Sequence, residues 1–239
     1  MSKTLVIMPT YNESMNIMHS IEELFKFNPG VHLLVVDDNS PDGTAEIVET
    51  AKSDFAGKLF LLSRPGKAGL GPAYLAGFAW AFERDYIRVV EMDADGSHRA
   101  SDLPALLAQE DFDLVIGSRW ISGGEVVNWP IIRELISRFG NLYTRTLLNT
   151  KVRDMTAGFR VYKIELLRRL PLEKIASQGY SFQVEMAYRS IELGAKVTEV
   201  PIVFVEREYG ASKMNTAIVL EALWLVTRWG VARLLGKKL

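Results

Sequence analysis

The sequence contains no cysteine, so disulfide bonds, thiolate nucleophiles and zinc–cysteine sites are excluded. It also lacks a surplus of either charge, because 28 basic and 29 acidic residues give a formal net charge of −1. Nucleic-acid binding requires a concentrated positive surface, and this balance argues against it. Only 3 histidines are present. His19, His32 and His98 are scattered along the chain, so we expect them to be structural and find no obvious catalytic base.

Long apolar runs are missing as well. No uncharged apolar stretch approaches the ~18 residues that span a bilayer. The first residues lead directly into a strand pattern, without the apolar core and cleavage site of a signal peptide, so we expect no secretion signal. What the chain does have is 239 residues that are 48% hydrophobic, enough for one large α/β domain or two small ones.

Short apolar runs alternate with helical patterns along the first half of the chain. The predicted strands span residues 5–8, 31–36, 59–62, 89–92 and 114–117, and the predicted helices span 15–25, 44–51, 73–84 and 103–108. This alternation predicts a mostly parallel sheet covered by helices on both faces. The second half is expected to contain a long loop with exposed apolar residues at 119–130, a turn and strand at 154–162, a strand-like run at 196–205, and helices at 131–148, 182–193 and 216–235.

Two carboxylates follow the fourth predicted strand, where Asp93 and Asp95 flank Ala94. In an open α/β sheet, ligands collect outside the carboxyl ends of the strands. Mg²⁺ typically takes one or two carboxylates together with substrate phosphates. The segment therefore predicts a metal–diphosphate site, and a solvated acidic turn is the alternative explanation of these residues taken alone.

A glycine-rich loop, Arg64–Pro72, follows the third predicted strand. It is not a P-loop, because no Ser or Thr follows Lys67, and it lacks the third glycine of a dinucleotide-binding fingerprint. We interpret it as a loop that opens a helix.

Four segments of the chain share one resemblance. They are Pro9–Glu13, Val36–Thr44, Met92–His98 and Gly117–Arg119. Together they resemble the family 2 glycosyltransferases, and Asp154–Arg160 narrows the resemblance to the polyprenyl-phosphate (dolichyl-phosphate) mannose synthases. The resemblance covers residues 4 to 213. It implies a glycosyltransferase-A fold, a mostly parallel nucleotide-binding α/β sheet flanked by helices. We expect a catalytic domain at residues 1–213 and an amphipathic helix at 214–239.

The resemblance implies transfer of mannose from GDP-mannose to a polyprenyl phosphate, with a divalent metal, Mg²⁺ or Mn²⁺, as cofactor. The implied donor-binding residues are Pro9, Tyr11, Glu13, Val36, Asp38, Asp93, Ala94, Asp95, Arg207 and Lys213. The implied metal ligands are Asp93 and Asp95, and the implied acceptor-binding residues are Arg119, Arg133 and Ser137. Asp95, Arg119 and Arg133 are the implied catalytic residues. Some relatives carry a longer metal ligand where this chain has Ser97, so we expect water to fill that place.

The missing catalytic base fits a phosphate acceptor. A phosphate monoester has a second pKa of ~6 and is largely ionised at neutral pH, so it requires positioning rather than deprotonation. Arginine side chains suit the geometry of a phosphate. A sugar-hydroxyl acceptor would normally need a base, worth about 10²–10⁴-fold in rate. A direct single displacement by the phosphate would invert the anomeric centre.

Tryptophans concentrate where a membrane contact would be expected. Trp120 and Trp129 lie in the loop after Arg119, and Trp224 and Trp229 lie in the last helix. Tryptophan is enriched at membrane–water boundaries. The last helix is apolar apart from Glu221, Arg228 and Arg233, and Lys237 and Lys238 follow it. We therefore expect a peripheral protein at the cytoplasmic face of a membrane, with or without a membrane-protein partner. Packing of this helix onto the catalytic domain is the alternative.

Other functions fit the sequence less well. A haloacid-dehalogenase-type phosphatase would normally carry its Asp-x-Asp motif near the N-terminus, whereas three strand–helix units precede Asp93 here. A processive polysaccharide synthase is expected to carry Gln-x-x-Arg-Trp, but Leu225 stands in place of the glutamine before Arg228 and Trp229. A polyprenyl-phosphate glucosyltransferase that uses another nucleotide sugar stays open, as does a non-catalytic module that binds sugar nucleotides.

Overall fold

The computed structural model describes residues 3–55, 57–175, 177, 179–207 and 216–236. The strands are β1 (Thr4–Thr10), β2 (His32–Asp37), β3 (Leu59–Ser63), β4 (Arg88–Glu91), β5 (Leu114–Ser118), β6 (Glu125–Val127), β7 (Arg160–Lys163), β8 (Val197–Pro201) and β9 (Val203–Val205). The helices are α1 (Ile17–Phe27), α2 (Thr44–Ala51), α3 (Leu70–Phe82), α4 (Leu103–Leu107), α5 (Ile131–Leu148), α6 (Ile164–Arg169), α7 (Gly179–Glu192) and α8 (Thr216–Leu234).

The central sheet has seven strands in the order β3-β2-β1-β4-β7-β5-β8. All neighbouring pairs are parallel except those of β7, which runs antiparallel to both β4 and β5. The mostly parallel sheet predicted from the sequence is confirmed. The antiparallel strand in its middle was not predicted, because a short strand after a turn carries no signal for its direction.

Helices cover both faces of the sheet, and alternate residues of each central strand face opposite layers. In β1, Leu5 and Ile7 join the core beneath α3 and α7, whereas Val6 and Met8 join the core beneath α1 and α2. Helix α3 approaches closely because it has a glycine at the contact: a Cβ on Gly77 would lie 2.8 Å from Ile7 side-chain atoms. Strands buried on both faces explain the continuous apolar runs in the sequence.

The loop at 119–130 and the run at 196–205 differ from expectation. The run divides into β8, in the central sheet, and β9, which pairs in parallel with β6 from the loop. Because β6 pairs with β9, the loop at 119–130 packs on the rest of the protein. Trp120 and Trp129 are therefore half-buried rather than exposed. Trp129 packs edge-on against Phe204 of β9, with the ring centroids 5.4 Å apart. The expectation of exposed apolar residues was therefore wrong for these two.

Helix α8 packs against α5 and α7 along one side. Trp229 is 6% exposed and lies in the core, so its predicted place at a membrane boundary is wrong. Gly230 permits a close crossing with α5, since a Cβ there would lie 3.1 Å from Cβ of Leu147. The opposite side leaves large apolar side chains exposed beside Glu221 and Arg228, with Trp224 60% exposed. Within the described ranges, no helix is both long and apolar enough to cross a bilayer.

Candidate functional site

The predicted donor residues meet at the carboxyl ends of β1, β2 and β4. Pro9 and Val36 are register partners across β1 and β2, so their backbones lie side by side. The amide of Met92, just beyond β4, donates to the carbonyl of Ile7 on β1. Parallel pairing thus brings three segments that are far apart in sequence to one edge of the sheet.

Asp38 lies at the centre of one side of this edge. Its carboxylate is 2.7 Å from Nη1 of Arg64 and accepts a hydrogen bond of 3.0 Å from the amide of Ala68. Nζ of Lys67 lies 4.4 Å from the centroid of the Tyr11 ring, a cation–π contact. The glycine-rich loop therefore closes on the predicted nucleoside site. Sequence reasoning missed Arg64 and Lys67, although the position of their loop beside β2 offered a signal.

The other carboxylates near Asp38 hold the loops in shape. Asp37 accepts hydrogen bonds from the Thr10 hydroxyl (2.8 Å) and from the amide of Ser40 (2.9 Å). Asp42 accepts from the Ser14 amide at 3.0 Å and the Thr44 hydroxyl at 2.6 Å. Burial would raise the pKa of Asp42, but these hydrogen bonds outweigh it and lower the pKa. The acidic run after β2 is thus largely a loop-forming motif, and Asp38 is its member that meets Arg64.

Glu13 is the remaining predicted donor residue on this side, and it is 8% exposed. Its carboxylate accepts from the Asn16 side chain at 2.9 Å, and its amide donates to the Thr44 hydroxyl at 3.0 Å. Glu13 therefore sits between the loops that follow β1 and β2.

Asp93 and Asp95 lie just beyond β4. Asp95 is 7% exposed. One of its carboxylate oxygens accepts from the Ser97 amide at 3.0 Å, and the other lies 3.0 Å from Nη2 of Arg207. Burial would raise the pKa of Asp95, but Arg207 and the hydrogen bonding from Ser97 outweigh it and lower the pKa. The side chain of Asp93 is more accessible, with 32% exposed.

The imidazole ring of His98 holds the backbone of Asp93 in place. Its Nδ1 accepts a 3.0 Å hydrogen bond from the Asp93 amide, and its ring stacks on Phe159 with centroids 5.1 Å apart. Burial lowers the pKa of His98, so the neutral ring is the form that accepts. The residue is 3% exposed and is held in place by its neighbours, as expected of a structural histidine.

The donor atoms at Asp93 and Asp95 suit a hard divalent cation. The described part of the chain contains no group of three or more acidic or histidine side chains that could hold a metal. Mg²⁺ sites of this kind combine one or two carboxylates with phosphates and water. The backbone of Gly158 lies next to Asp93 with no side chain between them, since a Cβ on Gly158 would be 3.8 Å from Oδ2 of Asp93. Arg207 places positive charge next to the Asp95 carboxylate.

Arg119, directly after β5, is fixed by a buried ion pair. Its Nε and Nη2 lie 2.7 Å from the two carboxylate oxygens of Asp154, and Nη2 also donates to the Thr156 hydroxyl at 2.9 Å. Burial would raise the pKa of Asp154, but Arg119 outweighs it and lowers the pKa. Trp129 and Phe204 lie 5.5 and 5.4 Å from Cζ of Arg119. The role of Asp154 as the partner that orients Arg119 was missed from sequence.

Arg133, at the start of α5, is ion-paired with Glu206, and its Cζ lies 4.0 Å above the Trp129 ring. Glu206 directly precedes Arg207, so one segment after β9 contacts both Arg133 and Asp95. Ser137 follows Arg133 by about one helical turn on α5 and is half-buried. Lys213 lies outside the described residues.

Ala94 and Glu91 are close in sequence to Asp93 and Asp95, and both are buried. The Ala94 carbonyl accepts from the Ser20 hydroxyl at 2.8 Å. Burial raises the pKa of Glu91 to about 7, against the lowering effect of Arg160. Arg160, itself fully buried, donates to the carbonyls of Met155 and Ala157 at 2.8 Å, which fixes the loop that carries Gly158.

Comparison with known proteins assigns this arrangement to a family. The model for Glycosyl transferase family 2 matches residues 5–170. The undecaprenyl-phosphate mannosyltransferase of Micrococcus luteus is 49% identical over 231 residues, which are 96% of this chain and 95% of that protein. The polyprenol monophosphomannose synthase of Mycolicibacterium smegmatis is 46% identical over 231 residues, 96% of this chain and 87% of that protein.

Solved structures share the fold. The glucosyl-3-phosphoglycerate synthase of Mycobacterium tuberculosis in complex with phosphoglyceric acid has a TM-score of 0.66 and 22% identity, covering 98% of this chain and 79% of that one. The same enzyme with Mn²⁺, uridine diphosphate and glucosyl-3-phosphoglycerate gives a TM-score of 0.64. The expected glycosyltransferase-A fold is confirmed. By its sequence, its fold and the residues gathered at the strand ends, this chain belongs to glycosyltransferase family 2.

Proposed function

We propose that this protein transfers mannose from GDP-mannose to a polyprenyl phosphate, with inversion at the anomeric carbon. The observation that carries the proposal is that two arginines lie close to the Asp93–Asp95 pair. Glu206 pairs with Arg133, while the next residue, Arg207, pairs with Asp95. The Phe204 ring lies 5.4 Å from Cζ of Arg119 and packs against His98, which accepts from the Asp93 amide. Such a site offers cations for an acceptor phosphate beside carboxylates for a donor. The near full-length similarity to two enzymes named for polyprenyl-phosphate mannose synthesis supports it.

The donor nucleoside binds at the edge formed by β1 and β2. Pro9 and Val36 supply apolar contacts, Tyr11 supplies a ring face, and Glu13 and Asp38 accept from base or ribose donors. The contact of Lys67 with Tyr11 and of Arg64 with Asp38 supports closure of the glycine-rich loop over this nucleoside.

The diphosphate lies toward Asp93, Ala94 and Asp95, where Arg207 and Lys213 contribute positive charge. Asp93 and Asp95 would hold Mg²⁺ or Mn²⁺, whose chemistry is to neutralise the charge of the departing diphosphate, worth several kcal/mol. Arg207 already meets the Asp95 carboxylate at 3.0 Å, so it is placed to shift onto donor phosphate.

The acceptor phosphate binds between Arg119, Arg133 and Ser137. The Asp154 carboxylate holds Arg119 in a fixed orientation, which reduces the entropy lost when the phosphate binds. The ionised phosphate oxygen attacks the anomeric carbon from the side opposite the diphosphate. The new carbon–oxygen bond forms as the bond to the diphosphate breaks, and no protein base is required.

We place the protein at the cytoplasmic face of a membrane as a peripheral enzyme, with residues 1–213 as catalytic domain and 214–239 as membrane-associated helix. Helices α5 and α8 leave large apolar side chains uncovered, among them Ile131 (77% exposed), Phe139 (67%) and Leu234 (71%). Exposed apolar residues concentrated on neighbouring helices are typical of a membrane or protein contact. A membrane-protein partner is compatible with the same surface.

The test is transfer from a panel of radiolabelled nucleotide sugars to polyprenyl phosphate in vesicles, followed by extraction into organic solvent. We expect lipid-linked label from GDP-mannose, dependent on a divalent metal. Label from another donor alone would favour the glucosyltransferase alternative. Tight nucleotide-sugar binding without transfer would indicate a binding module.

A further inference from the structure

A small basic pocket lies beside the proposed acceptor site, with a volume of about 170 Å³. It is lined by Trp120, Arg138, Asn141, Leu142, Arg145 and Arg153. Four of these residues share one face of α5, at spacings of three and four. The volume is below the ~300 Å³ at which sites for drug-sized ligands begin, so the pocket suits a compact group such as a phosphate.

The charge of the pocket is positive. Arg138 is ion-paired with Glu134 at 2.7 Å and lies 4.2 Å from the Trp120 ring. In the described ranges, neither Arg145 nor Arg153 makes an ion pair with a carboxylate. Glu199 uses its two carboxylate oxygens on the backbone amides of Arg153 and Asp154, at 2.8 and 2.9 Å. Two guanidinium groups thus remain for an anionic ligand.

The pocket opens at the margin of the apolar surface. Leu142 lines it and is 49% exposed, and it continues a row on α5 with Leu135 (45%) and Phe139 (67%). A ligand with a phosphate in the pocket could therefore extend an apolar chain along this row. A phospholipid combines both features, as does the polyprenyl phosphate whose phosphate is already assigned to Arg119 and Arg133.

The pocket is also separate from the phosphate site proposed for the acceptor. Its two uncompensated arginines are Arg145 and Arg153, whereas the acceptor is assigned to Arg119 and Arg133. Trp120 adjoins both, because its ring lies 5.4 Å from Cζ of Arg119 and lines the pocket. A lipid held here would place the protein beside a bilayer with the acceptor site at its margin.

We infer that this pocket binds the phosphate headgroup of an anionic phospholipid in the bilayer surface. The headgroup is held by the forked guanidinium donors of Arg145 and Arg153, and its acyl chains lie along the exposed row of α5. The inference rests on the proposed membrane association and not on mannosyl transfer.

The test uses the full chain and vesicles of phosphatidylcholine with or without phosphatidylglycerol, free of polyprenyl phosphate and nucleotide sugar. We expect Arg145→Gln/Arg153→Gln to weaken binding to phosphatidylglycerol vesicles about 30-fold, since each surface cation contributes about fivefold. The control Lys26→Gln/Lys52→Gln removes the same charge from α1 and the segment after α2, on the opposite face of the sheet, and should leave binding unchanged.

A charge-preserving variant separates the pocket from general attraction. Arg145→Lys/Arg153→Lys keeps both charges but loses the bidentate geometry, so we expect roughly fivefold weaker binding. Wild-type binding by this variant, or equal loss in the Lys26/Lys52 control, would overturn the pocket. So would calorimetric binding of glycerol 3-phosphate that depends on these arginines when vesicle binding does not.

A wild-type protein that binds no vesicle would overturn the pocket together with the proposed membrane association. Transfer to a short, soluble prenyl phosphate then reports on the reaction alone, because that assay needs no membrane. Thermal unfolding of each variant confirms that the fold is kept, and Arg153 is exposed and Arg145 half-buried, so little change is expected.

Discussion

Replacing Asp154 with asparagine should show how much the site depends on one buried ion pair. Asp154 is 0% exposed and Arg119 is 5% exposed, with both carboxylate oxygens 2.7 Å from guanidinium nitrogens. The substitution keeps the shape but leaves the arginine charge buried without its partner. Removing one member of such a pair typically costs 3–5 kcal/mol. We therefore expect Asp154→Asn to lower the free energy of unfolding by about 3–5 kcal/mol.

Urea denaturation at several pH values provides the assay. The folded-state pKa of Asp154 is lowered, so its contribution is fully present above the unfolded pKa of about 4 and is lost as pH falls through the folded value. The difference between wild type and Asp154→Asn should hence stay constant from pH 5 to pH 8 and shrink only below about pH 4. Thr156→Val removes no charge but loses the hydroxyl that accepts from Arg119 and Asn141 and donates to Asp154. It is the uncharged comparison and should cost about 1–3 kcal/mol, independent of pH.

A double replacement tests the reasoning directly. Arg119→Met/Asp154→Leu removes both charges, so it should destabilise less than either single change does. If Asp154→Asn lost under 1 kcal/mol, or if the double variant lost the sum of the two single changes, the ion pair would not be the cause. Transfer to acceptor should fall sharply in Asp154→Asn, while the affinity for nucleotide sugar stays near wild type.

Three further experiments test separate parts of the molecule. Asp95→Asn should reduce turnover at least ~10²-fold, equal to ~2.7 kcal/mol, and near-normal transfer that resists chelators would contradict the metal assignment. Arg207→Ala should weaken binding of the donor diphosphate, whereas Arg119→Ala should chiefly impair acceptor use, and equal loss of donor affinity in titrations without acceptor would refute this division. Trp229→Ala should cost about 3–5 kcal/mol in unfolding free energy, because the ring lies in the core, while Trp224→Ala should cost under 1 kcal/mol.

The central sheet was predictable because its strands are buried on both faces. The sequence of such a strand, for example β1, is a continuous apolar run. The segments between these runs show the periodicity of helices. Helices α2 and α5 begin and end at the residues predicted from the sequence. The positions of these strands and helices could therefore be predicted from local sequence patterns alone.

Long-range pairing was less accessible. The pairing of β6 with β9 joins residues 125–127 to 203–205, and nothing local in either segment indicates the other. The same holds for Asp154, whose carboxylate meets Arg119 from 35 residues away. Tryptophan was a misleading signal for a related reason: Trp229 and Trp224 share a helix, but only tertiary packing decides which one is buried.

The segment after β9 links the two halves of the site and leads to the last prediction. Glu206 pairs with Arg133 while the next residue, Arg207, pairs with Asp95.

An acceptor phosphate that binds Arg133 must compete with the Glu206 carboxylate for the same guanidinium. Glu206→Gln keeps the shape and removes this competing charge. A partly exposed ion pair contributes about 0.2–1 kcal/mol, so the KM for acceptor should fall about 1.4- to fivefold with donor affinity unchanged. Initial rates at varied prenyl phosphate give the answer. A raised KM would mean that Glu206 orients Arg133 for the phosphate, and competition would then be the wrong explanation.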